Sequence, residues 1–258
     1  MIPLLWELFP ALQAWLGVAA AVFLRVGAAF LALPAFGEAL IPMRVRLAAA
    51  VAFTAILVPA IGPDLLSLPA GNMPPTRFFL TEATIGLMIG VALRLVVHGL
   101  QIAGVMAAQA TSLSQIMGGA LPEAQPAMSN LLMLAGLTLA IMSGLHVHLA
   151  EAFLRSYQVL PAGEFPFSGD TGAWIVAQVA ATFSLAFSLA APFLIASLLY
   201  NVALGVINKA MPQLMVAFVG APAITWGGLV LLLVTTPFIL PVWFAVFEAR
   251  LANPFGSP

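Results

Sequence analysis

Charge is scarce in this chain: Asp, Glu, Lys and Arg together make up 7% of its 258 residues. Soluble domains carry about 25%, so this sequence cannot clothe a water-facing surface, and most of what it exposes must meet lipid or other apolar protein. Eight Lys and Arg oppose nine Asp and Glu, for a formal net charge of −1. They form no basic stripe, which removes the electrostatic footing that nucleic-acid binding requires. Cysteine is absent, which excludes disulfides and thiolate metal sites and leaves the redox compartment open. No H-E-x-x-H, G-x-S-x-G or glycine-rich phosphate loop occurs, so the familiar enzyme constellations are missing. Ser143, Gly144 and His146 lie close together, but neighbours on one helix do not assemble a nucleophile, a base and an oxyanion hole.

What is present is apolar: 63% of the residues are hydrophobic, and the mean hydropathy is +1.12. A bilayer-crossing helix needs about 20 mostly apolar residues, and six stretches qualify, at 11–33, 45–62, 78–105, 127–150, 172–199 and 216–247. Pro- and Gly-rich breaks separate them at 34–42, 59–75, 118–126, 161–172 and 208–212. The runs are rich in Leu and Ala without two-residue alternation, which predicts an all-α polytopic membrane protein rather than strands. The connections leave no room for a soluble domain, and no internal repeat is visible. Glu7 stands where a cleaved signal would carry basic residues, so the first apolar stretch is expected to be retained. Lys and Arg divide too evenly between alternate connections for the positive-inside rule to choose an orientation.

The polar residues inside the apolar stretches carry the most information. Arg25 falls in the first; Glu82, Arg94 and His98 fall in the third. An ionisable group at mid-membrane costs at least ~2.5 kcal/mol, so such residues face protein or water. Glu82, Gly86, Gly90, Arg94 and His98 recur every four residues and form one slowly drifting helical ridge. Gly86 and Gly90 make the Gly-xxx-Gly pattern that admits a second backbone. Glu82 and Arg94 are about 18 Å apart along a helix, so each must find its partner on another helix or another chain. The ridge is therefore a packing seam, either within the chain or against neighbouring chains. A proton or ion relay through Glu82, Arg94 and His98, as in a small-solute transporter, is the rival reading, and the missing repeat counts against it.

The stretch 109–130, QATSLSQIMGGALPEAQPAMSN, is small, polar and glycine-rich. Such backbone is tolerated at membrane depth only where protein buries it or it lines a cavity; the alternative is an ordinary solvent-exposed connection. His146 and His148 point to opposite helix faces, which argues against a shared metal ion and favours interfacial anchoring. Trp6, Trp15 and Trp243 fit an aromatic belt. Near the end, Asn201 and Asn208 share a helix face one heptad apart and, with Lys209 and Gln213, suit either a subunit interface or a solvated helix end.

The run RVGAAFLALPAFGEALIPMRVRLAAAVAF at 25–53 resembles the FliR family of bacterial export-gate proteins and its injectisome counterparts. The family pattern falls on Arg25, Pro34, Phe36, Gly37, Ile41, Pro42, Arg44 and Arg46. The likeness continues through Glu82, Gly86, Gly90, Gly104 and Gln109, then Ser156, Pro161 and Gly163, then Pro212, Gln213, Val216, Gly220 and Pro222. Met215 stands where Asn is usual, Asn201 replaces a frequent Asp, Lys209 a frequent Arg, and Ile224 a frequent Lys, departures that bear on local charge pairing. Over roughly residues 20–235, the order and spacing of these motifs are more specific than any one of them.

The resemblance implies a non-enzymatic subunit with no cofactor and no metal, having a FliP-like portion at 1–170 joined to a FliQ-like hairpin at 171–258. It implies assembly with FliP-like and FliQ-like subunits, near FlhB-like and FlhA-like proteins, in the basal body at the inner membrane. There the gate would pass unfolded export substrates. Arg25, Glu82, Gly86, Gly90, Arg94, Asn201, Asn208 and Lys209 are then expected at packing contacts between subunits. A plug that seals an idle channel yet yields to any substrate suits the Met- and Gly-bearing segment 106–124, because Met adapts to varied surfaces. Its candidate residues are Met106, Gln109, Ser114, Met117, Gly118, Gly119 and Pro122.

Overall fold

The computed structural model describes residues 2–38, 41–67, 75–111, 127–166, 168–211 and 216–256. These form helices α1 (Ile2–Ala32), α2 (Met43–Leu66), α3 (Pro75–Ala110), α4 (Ala127–Met142), α5 (Leu145–Val159), α6 (Ser168–Ala210) and α7 (Val216–Ala252). No strand occurs among the described residues. Among the described residues five helical segments are long and apolar enough to cross a membrane (Phe9–Ala32, Met43–Leu66, Thr76–Ala110, Thr171–Ala210 and Pro222–Ala252), and the pair Ala127–Met142 and Leu145–Val159, bent by 75°, makes a sixth if taken as one broken span.

The predicted stretch at 127–150 is broken in two. Gly144 adopts a left-handed backbone with φ 85° and ψ 36°, which an L-residue rarely tolerates and which stops α4 from running on. The following α5 is amphipathic. It buries Leu145, Leu149, Ala152, Phe153 and Ser156, and exposes His146, Glu151, Arg155 and Gln158. The sixth helix runs beyond the apolar stretch at 172–199: Asn201 lies within it, and Asn208 and Lys209 occupy its last, exposed turn. At about 1.5 Å per residue its 43 residues span about 65 Å, twice the ~30 Å hydrocarbon thickness of a bilayer.

The chain divides into two compact units, one of residues 1–94, 144–178 and 248–258, the other of 95–143 and 179–247; α3, α6 and α7 contribute to both. In the first unit α1 packs on α2 and, at Arg25 and Ala29, against Gly86 and Gly90 of α3; Val22, Val26, Phe30, Leu57, Ile85 and Ile89 of these helices are buried. Phe30, Phe36 and Phe53 cluster at its end, with ring centroids 4.7–6.4 Å apart. Gly62 lies under the indole of Trp15, where a side chain would collide.

The second unit is centred on Trp243. This residue is fully buried, stacks on Phe247 at 5.1 Å, and donates its indole N–H to the Val96 carbonyl at 2.9 Å. An interfacial position, expected from its place near the chain end, is thereby overturned. Gly136 leaves the space that the Trp243 ring and Leu100 fill, and a satisfied N–H removes the reason for an indole to seek water. Outside these cores α6 and α7 expose large apolar side chains such as Phe183, Phe187, Leu198, Trp226, Leu233 and Phe238, the surface required against lipid or apolar protein.

Candidate functional site

Arg25 of α1 and Glu82 of α3 meet in the first unit, each with its side chain wholly buried. The pair is bidentate: Arg25 Nε donates to Glu82 Oε2 at 2.7 Å, and Nη2 donates to Oε1 at 3.1 Å. Two further bonds bring four of the five guanidinium N–H groups into use. Nη1 reaches Ser156 Oγ at 3.1 Å, and Nη2 reaches the Leu160 carbonyl at 3.1 Å. Glu82 accepts two further bonds, from Tyr157 Oη at 3.2 Å and the Gly163 N–H at 3.1 Å. The guanidinium carbon lies 3.6 Å from the centroid of the Tyr157 ring, within cation–π range.

Buried ions cost several kcal/mol each to desolvate, and only good geometry with every lone pair and proton satisfied offsets that. Here Glu82 accepts four bonds, and Arg25 makes four with its remaining face on the Tyr157 ring. The cluster joins α1, α3, α5 and the corner at 160–163, where Gly163 adopts φ 80°. With Arg25 and Glu82 wholly buried at its centre, the cluster ties these four segments together.

The same seam continues along α3. A side chain at Gly86 would strike the carbonyl oxygen of Arg25, and one at Gly90 would come within 2.5 Å of the Ala29 carbonyl oxygen. One turn on, Arg94 donates to the Ala32 carbonyl at 3.3 Å and lies 3.9 Å from Glu38. Arg46 holds the same corner by donating to the carbonyls of Phe36 and Glu38 at 2.9 and 3.1 Å. Arg25, Glu82, Gly86, Gly90 and Arg94, for which sequence left both a seam within the chain and a contact between chains, all find these contacts within the chain.

His98 stands apart from this seam, with Nδ1 2.9 Å from Gln101 Oε1 on its own helix. Among the described residues no group of three His, Asp or Glu side chains could hold a metal ion. Asn201, Asn208 and Lys209 are exposed on α6, and Asn201 donates to the Ser197 carbonyl at 2.8 Å.

Of the residues expected to form a plug, Met106 is half-buried and Gln109 exposed, both on α3; Ser114, Met117, Gly118, Gly119 and Pro122 lie outside the described residues. The helix ends bracketing that segment are well packed in the second unit. Thr111 is 5% exposed, and a side chain at Gly228 of α7 would meet it at 2.6–2.8 Å. Thr225 donates to the Thr111 carbonyl at 3.4 Å. Ser129 of α4 is fully buried, donates to the Gln101 carbonyl at 2.9 Å, and leaves no room for a side chain at Gly104.

Helices of this length and apolarity, tied by a buried ion pair, define a polytopic helical membrane protein. The model of the bacterial export proteins, family 1, matches residues 16–249. The flagellar biosynthetic protein FliR of Caulobacter vibrioides is 35% identical over 228 residues, covering 88% of this chain and 91% of that protein. The FliR of Escherichia coli is 25% identical, covering 88% and 87%, and that of Bacillus subtilis 26%, covering 94% and 92%. The chain belongs to this export family and, within it, with the FliR proteins.

Sequence reasoning missed Tyr157, Thr111, Ser129, Thr225 and Gly228. For Tyr157 a signal existed, since it lies next to Ser156 in a family-like stretch. For the others only a small residue type was visible, and its neighbour was not.

Proposed function

We propose that this chain is a core subunit of a flagellar export gate, in which it forms with FliP-like and FliQ-like subunits the channel that passes unfolded flagellar proteins across the inner membrane. The observation that carries the reading is the match to the export family and to flagellar FliR proteins along almost the whole chain. In this reading residues 1–170 take the FliP-like part and 171–258 the FliQ-like part, with FlhB-like and FlhA-like proteins close by in the basal body. The role is structural and conductive rather than enzymatic. The apolar faces of α6 and α7, and helices longer than a bilayer is thick, suit a chain that is covered by other subunits as well as by lipid. The flagellar names of the relatives favour a flagellar over an injectisome gate.

Co-expression with FliP- and FliQ-like partners should yield one complex of defined mass in native mass spectrometry. A chain that stays alone, and moves a small solute in liposomes, would instead point to a transporter.

The polar segment at 106–124, which includes Gly118 and Gly119, is the plug in this scheme. Gly118→Asp or Gly119→Asp should reduce motility and export severely, by adding charge and a side chain where the idle channel is closed. Normal motility and an intact ion seal in both variants would remove the plug role.

A further inference from the structure

We infer that a cleft between α5 and the end of α7 binds the headgroup of an ethanolamine phospholipid, a site independent of any role in export. Glu248 takes the ammonium and Arg155 takes the phosphate.

The cleft holds about 270 Å³ and is lined by His148, Glu151 and Arg155 of α5 and by Glu248, Leu251 and Ala252 of α7. Each trio is spaced by three and four residues along its helix, so each helix offers a single face. Leu251 is buried and gives the cleft its apolar part. The depth of the cleft follows from the charge pattern. No charged residue occurs between Lys209 and Glu248, and Glu248 stands one turn before the end of the apolar segment Pro222–Ala252. It is the first charge met on leaving that run, at the level where lipid headgroups replace hydrocarbon.

The groups facing the cleft are largely uncommitted. Arg155 Nη1 donates to the Ala252 carbonyl at 3.2 Å, while Nη2 lies 3.7 Å from Glu151 Oε2, beyond ordinary hydrogen-bond length. Arg155 and Glu151 are both about half exposed, so this pair is worth little and yields readily to a better partner. The other N–H groups of the guanidinium are free to fork onto a phosphate. Among the described residues Glu248 and His148 have neither an ion pair nor a side-chain hydrogen bond.

A carboxylate without a partner and a half-used guanidinium on one cleft ask for a dipolar ligand. An ethanolamine headgroup brings both signs: an ammonium with three N–H donors for Glu248, and a phosphate for Arg155. A choline headgroup has the phosphate but no N–H to give Glu248. A glycerol headgroup has no cation and leaves its phosphate beside two carboxylates. No group of three His, Asp or Glu side chains among the described residues could hold a metal ion there instead. The volume falls just short of the ~300 Å³ at which sites for whole small molecules begin, which suits a headgroup whose acyl chains stay in the bilayer.

The test is native mass spectrometry of the full chain in detergent, titrated with phosphatidylethanolamine, phosphatidylcholine and phosphatidylglycerol of identical acyl chains. The first is expected to bind about tenfold more tightly than either of the others. Glu248→Gln should lose most of that preference, and His146→Ala, on another face of α5, should keep it. Glu248→Lys should turn the preference toward phosphatidylglycerol, a change of rank that misfolding cannot produce. Soluble phosphoethanolamine should compete only at far higher concentration, because it lacks the acyl chains. Equal binding of the three lipids would overturn the inference, as would an unchanged preference in both Glu248 variants. Phosphoethanolamine as potent as the lipid, or displacement of the lipid by an equimolar lysine-rich peptide, would also overturn it, giving the cleft to a soluble amine or to a partner chain.

Discussion

Glu82→Ala is expected to destabilise the protein by about 3–5 kcal/mol, the range for breaking a buried ion pair from one side. The size follows from what remains. Arg25 is wholly buried and places two of its four hydrogen bonds on Glu82, so the variant leaves a guanidinium in apolar protein without its counter-ion. Tyr157 and the Gly163 N–H lose their acceptor as well. The folded fraction surviving detergent extraction, and the thermal midpoint of what survives, are the measurements. The companion variant makes the test specific. Arg25→Met with Glu82→Gln removes both charges, keeps an acceptor for Tyr157 and Gly163, and should regain at least about half of the loss, because a pair of similar volume without charge escapes the desolvation cost. A single variant as stable as wild type, or a double variant worse than either single, would show that the cluster does not hold the unit together.

The second large effect is expected at Gly86. A Cβ there coincides with the carbonyl oxygen of Arg25, which is helical backbone and cannot swing aside. Gly86→Ala must push α3 away from α1 at the very turn that carries the ion pair. A loss of about 2–3 kcal/mol is expected, at the upper end of the usual overpacking range. Gly90→Ala should cost less, since its nearest neighbour is 2.5 Å away. Gly205→Ala is the control: it lies in α6 with nothing within 4 Å, and removing a mid-helix glycine should stabilise by up to ~1 kcal/mol. The thermal midpoints should therefore rank Gly86→Ala lowest and Gly205→Ala highest. Equal midpoints for Gly86→Ala and Gly205→Ala would mean that α1 and α3 do not approach as closely as this.

Much of the fold was legible because its determinants are local. Long apolar runs and Pro or Gly breaks located most helices to within a few residues, as with 45–62 against the observed Met43–Leu66. The failures are equally local in cause. Hydropathy found the apolar stretch at 127–150 but not the left-handed Gly144 that bends it by 75° into two helices. It also ends a helix where polarity rises, although α6 continues past 199 through Asn201 and stops only at Ala210. The site was legible as a demand rather than as an answer. Arg25 and Glu82 each announced that something must neutralise them in an apolar setting; that they neutralise each other depends on α1 lying against α3. Trp243 was misread for the same reason, since the cavity at Gly136 that receives it belongs to another helix.

The spacing of the ion pair also has a consequence for how the protein is made. Arg25 and Glu82 are 57 residues apart in sequence. At about 5–20 residues per second of synthesis, α1 waits about 3–11 s for the residue that neutralises it. During that interval the first helix carries an uncompensated charge and is a poor tenant of lipid. The insertion machinery must shelter α1, or let it linger at the water boundary, until α3 emerges. The first committed step in this protein's biogenesis is then the paired entry of two helices, and a ribosome stalled between them would leave a fragment that the membrane does not keep.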